Sequence, residues 1–262
     1  MHIDCRYPEK ITWVLDLTTI KDALELFGKK TQKKLKSSIN RLKTTDYTFK
    51  IDQVDENFIK IFYPIYSKNV KQKKNPLVHD LMDKVILNPP HHFPYFAVSL
   101  YREKKLQGAV IFSDRGDFIV TAFRTFPLKI EISLPITVSY IAEYYLNAFA
   151  LENGKKFIQR GSDRNLFGTN ASLGLVNFKL LCAYEPHMML KNEFEKKNYK
   201  ITKGYTWDEK ENVLIFEASE FGKKIHHAIL LINPEKEAGI EEKYKTILNS
   251  TNLEVTTIYK KP

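Results

Sequence analysis

Between residues 95 and 125 the chain writes YFAVSLY, LQGAVIFSD and DFIVTAFRT, three runs rich in valine, isoleucine and aromatics, parted only by the REKK stretch and by Arg115-Gly116. Connectors that short leave no room for a crossover, so the runs must pair as an antiparallel meander. Everything else is arranged around that meander. Before it, the periodicity predicts a helix over 28–43, a strand over 47–53 and a helix over 56–70 that Pro64 should kink or end. A third helix, 76–87, is predicted to start at Pro76 with Asn75 as its cap. After it, Pro135 opens a long helix, PITVSYIAEYYLNAFALEN (135–153), closed by Gly154, and KFIQRG (156–161) reads as a strand. A helix is expected over 171–182, and then NVLIFEA and HHAILLI as strands, EEKYKTILNS as a helix and LEVTTIYKK as a last strand. The class is α+β with a mixed, mostly antiparallel sheet flanked by helices, a basic helix in front and an α/β extension behind. The expected division is 1–45, 46–192 and 193–262.

With 262 residues, 43% hydrophobic, the chain can bury a sizeable core. Lysine and arginine outnumber the acids 41 to 31, giving +10. Such a surplus favours an anionic partner, such as nucleic acid, a nucleotide-bearing cofactor or anionic lipid, or else a lysine-rich surface that keeps the chain soluble. The charge is concentrated on GKKTQKKLKSSINRLK (28–43), where Leu35, Ile39 and Leu42 form one narrow apolar stripe. Lys29, Lys30, Lys33, Lys34, Lys36, Arg41 and Lys43 fill the rest. A second cluster follows at Lys68, Lys71, Lys73 and Lys74. Cys5 and Cys182 cannot make a disulfide framework, and the absence of CxxC or HExxH spacing leaves no metal signature. MHIDCRYPEK lacks an apolar secretory core, and no window approaches a membrane span, so the sequence reads as cytoplasmic. The pairs His91-His92 and His226-His227 would point to opposite faces of a strand, which disfavours a shared metal.

The stretch GSDRNLFGTNASLGLVNFKLLCAYEP (161–186) gathers three of the ten glycines and sets one lysine, Lys179, in an apolar run. Lys179 either places an ammonium over a developing oxyanion or snorkels from an amphipathic helix. Ser162 and Asp163 follow the expected strand end, where open sheets expose side chains to a crevice. Asp163 relays a proton, or pairs with Arg160 or Arg164, or caps the next turn. Asn170 and Asn177 either orient a polar substrate or cap the helix. Tyr184 is a candidate general acid, or a packed strand tyrosine. No G-x-S-x-G elbow is present, which disfavours a hydrolase serine.

The element order, together with GKKFIQRGSDRNLFGTNASLGLVNFKLLCAYEP (154–186) and the basic helix at 28–43, resembles the GNAT acyltransferase superfamily and its BioF/FemAB-like branch. The matching residues are Gly161, Ser162, Gly174, Phe178 and Lys179. Ala183-Tyr184 stands where that branch commonly has Phe-Gly or Gly-Ala. The resemblance implies transfer of an acyl group from a thioester, acyl-CoA or acyl carrier protein, to an amine of a sugar, peptide or metabolite. It implies Lys179, Asp163, Ser162 and Tyr184 as the catalytic set. Phe123, Arg124, Arg160, Gly161, Asn177, Phe178, Lys33 and Lys34 would bind donor or substrate. The place where many such enzymes hold the coenzyme A pyrophosphate reads RTFPLKIEISLP (124–135), without a glycine and with Glu131 opposing an anion. That departure keeps two other readings open: an aminoacyl-tRNA-dependent ligase of the FemAB kind, and a non-enzymatic basic module for nucleic acid or assembly.

Overall fold

The computed structural model describes residues 1–72, 77–127, 129–169, 171–192, 197–220, 222–236, 240–249 and 252–260. The expected Asn75-Pro76 cap, Lys73, Lys74 and Asn170 lie outside them. In chain order the strands and helices are β1 (His2–Pro8), β2 (Lys10–Asp16), α1 (Lys29–Leu42), β3 (Tyr47–Gln53), α2 (Glu56–Lys71), β4 (Tyr95–Arg102), β5 (Lys105–Asp114), β6 (Phe118–Thr125), α3 (Val138–Glu152) and β7 (Phe157–Arg164). They continue with α4 (Leu173–Leu181), β8 (Glu185–Met188), the two-residue strands β9 (Lys191–Asn192) and β10 (Lys197–Asn198), β11 (Ile201–Thr206), β12 (Val213–Phe216), β13 (His227–Ile232), α5 (Ile240–Leu248) and β14 (Glu254–Tyr259). The chain divides into two compact units: 16–160, and 1–15 with 161–262. The sequence-level boundaries at 45/46 and 192/193 fall inside these units, because residues close in space here are far apart in sequence.

In unit 16–160, β3, β4, β5 and β6 form the antiparallel meander, and the first half of β7 joins β6 in parallel, Phe118 opposite Phe157 and Thr121 opposite Arg160. Side chains alternate between the faces. Ala97, Ala109 and Ile111 pack with Phe58, Ile59, Phe62, Tyr66 and Val70 of α2. On the other face, Phe96 and Phe112 stack with each other and meet Phe149 of α3. With helices against both faces, β5 is buried at almost every position, which is why LQGAVIFSD carries a near-continuous apolar run rather than an alternation.

α2 continues through Pro64 to Lys71, capped by Asp55, whose carboxylate accepts the Phe58 N–H at 2.7 Å. The buried aromatic stripe offsets the lost backbone bond. Its buried face runs through Phe58, Ile59, Phe62, Tyr66 and Val70, and Ile61 is 59% exposed. The expected helix 76–87 shrinks to a π-helical turn at Met82–Leu87, with Asp80 accepting from the Asp83 N–H at 3.0 Å. α3 starts at Val138, three residues beyond the expected Pro135 start, with Thr137 as its N-cap residue, and closes at Gly154 (φ +64°). There Gly154 N–H donates to Leu151 and Lys155 N–H to Ala150, a Schellman ending.

In the unit 1–15 with 161–262, β1 pairs antiparallel with β11, His2 opposite Thr206, and β2 pairs antiparallel with β8, Ile11 opposite Met188. β12 and β13 are antiparallel, and β13 and β14 parallel. Neither N-terminal strand was expected. The buried Asn165 ties this unit together, with its amide donating to the carbonyls of Pro8 (3.0 Å) and Phe216 (2.7 Å) and its Oδ1 accepting the Phe216 N–H (3.0 Å). Trp13, fully buried, makes edge contacts with Phe216 and Phe167 at 5.5 and 6.3 Å between centroids. Gly168 sits at φ +105°, and a Cβ there would lie 1.9 Å from the Asn212 carbonyl oxygen, so no other residue fits this close approach. No helix among the described residues is long and apolar enough to cross a membrane.

Candidate functional site

β7 continues past its expected end at Gly161 to Arg164, so Ser162 and Asp163 are strand residues, both half-buried. α4 then begins at Ser172, whose hydroxyl accepts the Leu175 N–H at 3.2 Å. This serine takes the capping role that the sequence had left to Asn170 or Asn177. α4 is short and apolar, and its last turn carries Lys179, 4% exposed. An ammonium so buried requires a counter-charge. Asp163 supplies it: the Lys179 Nζ donates to Asp163 Oδ2 in a close ion pair. The same oxygen accepts the Trp13 indole N–H at 2.8 Å, and the Nζ lies 5.0 Å from the Trp13 ring centroid. One carboxylate thus gathers a cation and an indole donor, while the aromatic face adds a further attraction for the cation. Trp13 was not foreseen. It stands 150 residues from Asp163, on a strand that local pattern reading passed over.

The turn after α4 is a second Schellman ending. Tyr184 N–H donates to the Lys179 carbonyl and Ala183 N–H to the Leu180 carbonyl, both at 3.0 Å. Ala183 holds φ +60° at the position that glycine usually takes. The turn fixes the backbone of Lys179 and brings Tyr184 to 1% exposure. Asn177 and Phe178 lie on α4, both half-buried, and Gly161 is exposed on β7.

The remaining candidates occupy the unit 16–160. Arg124 on β6 donates to Glu143 at 2.6 Å and to the Ser139 carbonyl at 2.5 Å. Arg160 on β7, 6% exposed, pairs with the same Glu143 oxygen. Glu143, wholly buried on α3, is therefore held by two guanidiniums. The sequence pointed both arginines at a donor, and in the structure both neutralise this carboxylate. Phe123 packs edge-on to Tyr66 at 5.9 Å and lies 5.8 Å from His79. Lys33 and Lys34 are exposed on α1 together with Lys29, Lys30, Lys36, Arg41 and Lys43, with no acid between residues 28 and 45. The approach to α3, residues 125–137, has no glycine. Of the cations in it or next to it, Arg124 is engaged by Glu143, while Lys129 is exposed and near Glu131 in sequence. These residues do not fit a pyrophosphate cradle.

The histidines fall apart as well. His91 accepts the Phe93 N–H at Nδ1 (3.1 Å) and lies 3.2 Å from the Tyr95 hydroxyl, whereas His227 contacts Glu217 and Thr256. Among the described residues no group of three or more His, Cys, Asp or Glu is placed to hold a metal ion. Cys5 is buried, and that burial, with Glu217 and Asp4 nearby, pushes its thiol up to about 11, away from reactivity.

The fold is α+β, with a mixed, mostly antiparallel sheet flanked by helices. No family model matches the sequence, and no curated protein matches it. Among solved structures the chain is similar to L-PGS from Bacillus licheniformis, with 16% identity over 78% of this chain and 60% of that one and a TM-score of 0.43. It is similar to FemX, with 12% identity over 67% and 59% and a TM-score of 0.49. It is also similar to a tandem GNAT protein of the clavulanic acid biosynthesis pathway, with 7% identity over 77% and 55% and a TM-score of 0.43. The chain spans about three fifths of the length of the solved chains it matches. At these identities and TM-scores the likenesses assign no reaction or ligand.

Proposed function

We propose that this chain transfers an acyl or aminoacyl group to an amine, with Asp163 and Lys179 as the reacting pair. The supporting observation is the buried ammonium of Lys179 held on Asp163 beneath the Trp13 indole. Direct attack needs a base for the incoming ammonium and a cation for the oxyanion. Asp163, whose side chain is 18% exposed, takes a proton from the acceptor ammonium. The amine nitrogen then bonds to the acyl carbon, and the carbonyl electrons move to an oxygen that the Lys179 ammonium stabilises. Collapse breaks the bond to the leaving sulfur or oxygen, that group takes the proton held by Asp163, and the nitrogen gives its second proton to the freed Asp163 carboxylate, which releases it to solvent. No covalent enzyme intermediate is required.

Two classes of donor satisfy this chemistry, an acyl thioester and an aminoacyl-tRNA ester. The uninterrupted cationic face of α1 supports the second, since exposed lysines without interspersed acids suit a phosphate backbone. The misfit of residues 125–137 to a pyrophosphate weighs against coenzyme A as the handle of the first.

The test is a thermal-shift series with coenzyme A, acetyl-CoA, longer acyl-CoAs and bulk tRNA, because a ligand that binds only the folded state raises the melting temperature. Transfer to a mixture of amines from whichever donor stabilises the protein is then followed by mass spectrometry. The expected result is stabilisation by one donor class and turnover that Asp163→Asn lowers at least about 100-fold, the scale of a lost general base. Silence from every donor, or full turnover in Asp163→Asn, overturns the reading.

A further inference from the structure

A cavity of about 330 Å³ opens beside the turn after α4, lined by Leu180, Tyr184, Glu185, Pro186, Lys224, Thr246, Asn249, Asn252 and Leu253 with Ala183 at its edge. Its size suits a small ligand. All of its walls belong to the unit 1–15 with 161–262: the end of α4, the start of β8, the segment before β13, and α5 with the residues after it. Leu180, Pro186 and Leu253 make part of the lining apolar. Most of the rest is polar. Glu185 Oε1 accepts both the Lys224 Nζ at 2.7 Å and the Asn252 amide at 2.9 Å. Its other oxygen, Oε2, is engaged by no group among the described residues, although a carboxylate has about four acceptor positions. Thr246, Asn249 and Asn252 add hydroxyl and amide groups to the same lining.

We infer that this cavity binds a small primary amine that also carries hydroxyl groups, its ammonium on Glu185 Oε2 and its hydroxyls on Thr246, Asn249 and Asn252. A ligand anion is disfavoured, because Lys224 already spends its charge on Glu185, whereas Glu185 keeps acceptor capacity facing the cavity. An apolar ligand would strip water from the carboxylate and return nothing. A hydroxylated amine satisfies both the charge and the polar lining, and its carbon skeleton covers Leu180 and Leu253. The inference deepens the proposed function by naming the class of acceptor, and rests on that reading only for the ligand's fate. Leu180 follows Lys179 directly, so occupancy and the reacting pair share one turn of α4.

The probe is glucosamine against glucose, which differ by the amine, added to isotopically labelled protein without any donor. Amide shifts are read at Leu180, Thr246 and Leu253. Glucosamine should move these resonances saturably and glucose should not. Glu185→Gln, which keeps an oxygen for Lys224 and Asn252, should weaken glucosamine binding at least about tenfold, the effect of a lost charge-assisted hydrogen bond. Asn249→Leu, at an exposed position on the surface of the cavity, should weaken it as well while leaving the fold intact, and serves if Glu185→Gln does not fold. Equal shifts from the two sugars, no shifts from either, or wild-type affinity in both variants overturns the inference. Turnover is not read here. Intact glucosamine binding in a protein that transfers nothing sinks the acyl-transfer reading alone, and turnover without cavity shifts sinks the cavity alone.

Discussion

Replacing Lys179 by methionine removes the ammonium and keeps most of the aliphatic stem. Asp163 then loses its ion-pair partner and keeps the Trp13 N–H at 2.8 Å. The pair is largely out of water, with side-chain exposures of 5% for Lys179 and 18% for Asp163. Removing one member of a buried pair costs roughly 3–5 kcal/mol, mostly because the other charge stays behind uncompensated. The residual exposure of Asp163 and its indole donor place Lys179→Met at the low end, about 3 kcal/mol. Asp163→Asn strands the ammonium and should cost about the same. The double variant strands nothing, since the asparagine oxygen still accepts from Trp13, and should cost only about 1 kcal/mol, the scale of one net hydrogen bond. The singles therefore sum to about 6 kcal/mol, and the double falls far short of that sum. The assay is urea unfolding followed by tryptophan fluorescence. Trp13 and Trp207 are the two tryptophans of the chain, and both lie in the unit that holds the pair, so the signal reports that unit. A loss below about 1 kcal/mol in Lys179→Met, or a double variant as unstable as the sum of the singles, refutes the buried-pair argument.

Three further outcomes follow from local geometry. Gly168→Ala should cost about 2 kcal/mol or more in the same unfolding assay, because φ +105° and a Cβ 1.9 Å from the Asn212 oxygen force the loop to move; an unchanged midpoint contradicts it. Ala183→Gly should raise stability by about 1 kcal/mol, since φ +60° strains an L-residue, and a lower midpoint contradicts that. His91 is held down to about 4 from its ordinary 6.5 by burial, with Arg115 and His92 adding repulsion. Below pH 6.5 the unfolded chain therefore takes up a proton that the folded chain refuses until about pH 4, so stability falls as pH drops through that window. His91→Gln should flatten the pH dependence of the thermal midpoint there, and an equal slope in the variant contradicts the assignment.

What the sequence made legible follows the range of the interactions involved. The meander was readable to within one residue at most of its ends because short connectors fix pairing between neighbours. The basic helix was readable because Leu35 and Leu42 recur on one face of α1. β1 and β2 were passed over, although HIDCRYP alternates exposed and buried residues. Their partners, β11 and β8, lie nearly 200 residues away, and the cost of closing such a loop leaves no mark on local composition. Pro64 misled for the reverse reason: a local rule predicted a break, and the packing of Phe62 and Tyr66 against the sheet outweighed it.

The site divides along the same line. Lys179 and Asp163 each stood out singly, one as a cation in an apolar run and the other as an acid just past the expected strand end at Gly161. Their pairing required β7 to extend past Gly161 and α4 to end in a Schellman turn, and neither event has a strong local signature. Arg124 and Arg160 show the opposite case. As cations near expected strand ends they suggested ligand binding, but Glu143, hidden in an apolar helix, takes both. A buried acid inside an apolar stripe is the stronger signal, because its charge must be answered within the fold. By that criterion SYIAEYYLNAF announces a partner for Glu143 before any partner is known, just as NFKLL announces one for Lys179. The two announcements differ in what remains after pairing. Glu143 is wholly enclosed and meets two cations, an arrangement that holds a unit together. Asp163 keeps part of its surface open beside a single buried ammonium, and that difference is why the proposed chemistry is placed on Asp163 and Lys179 rather than on the arginines.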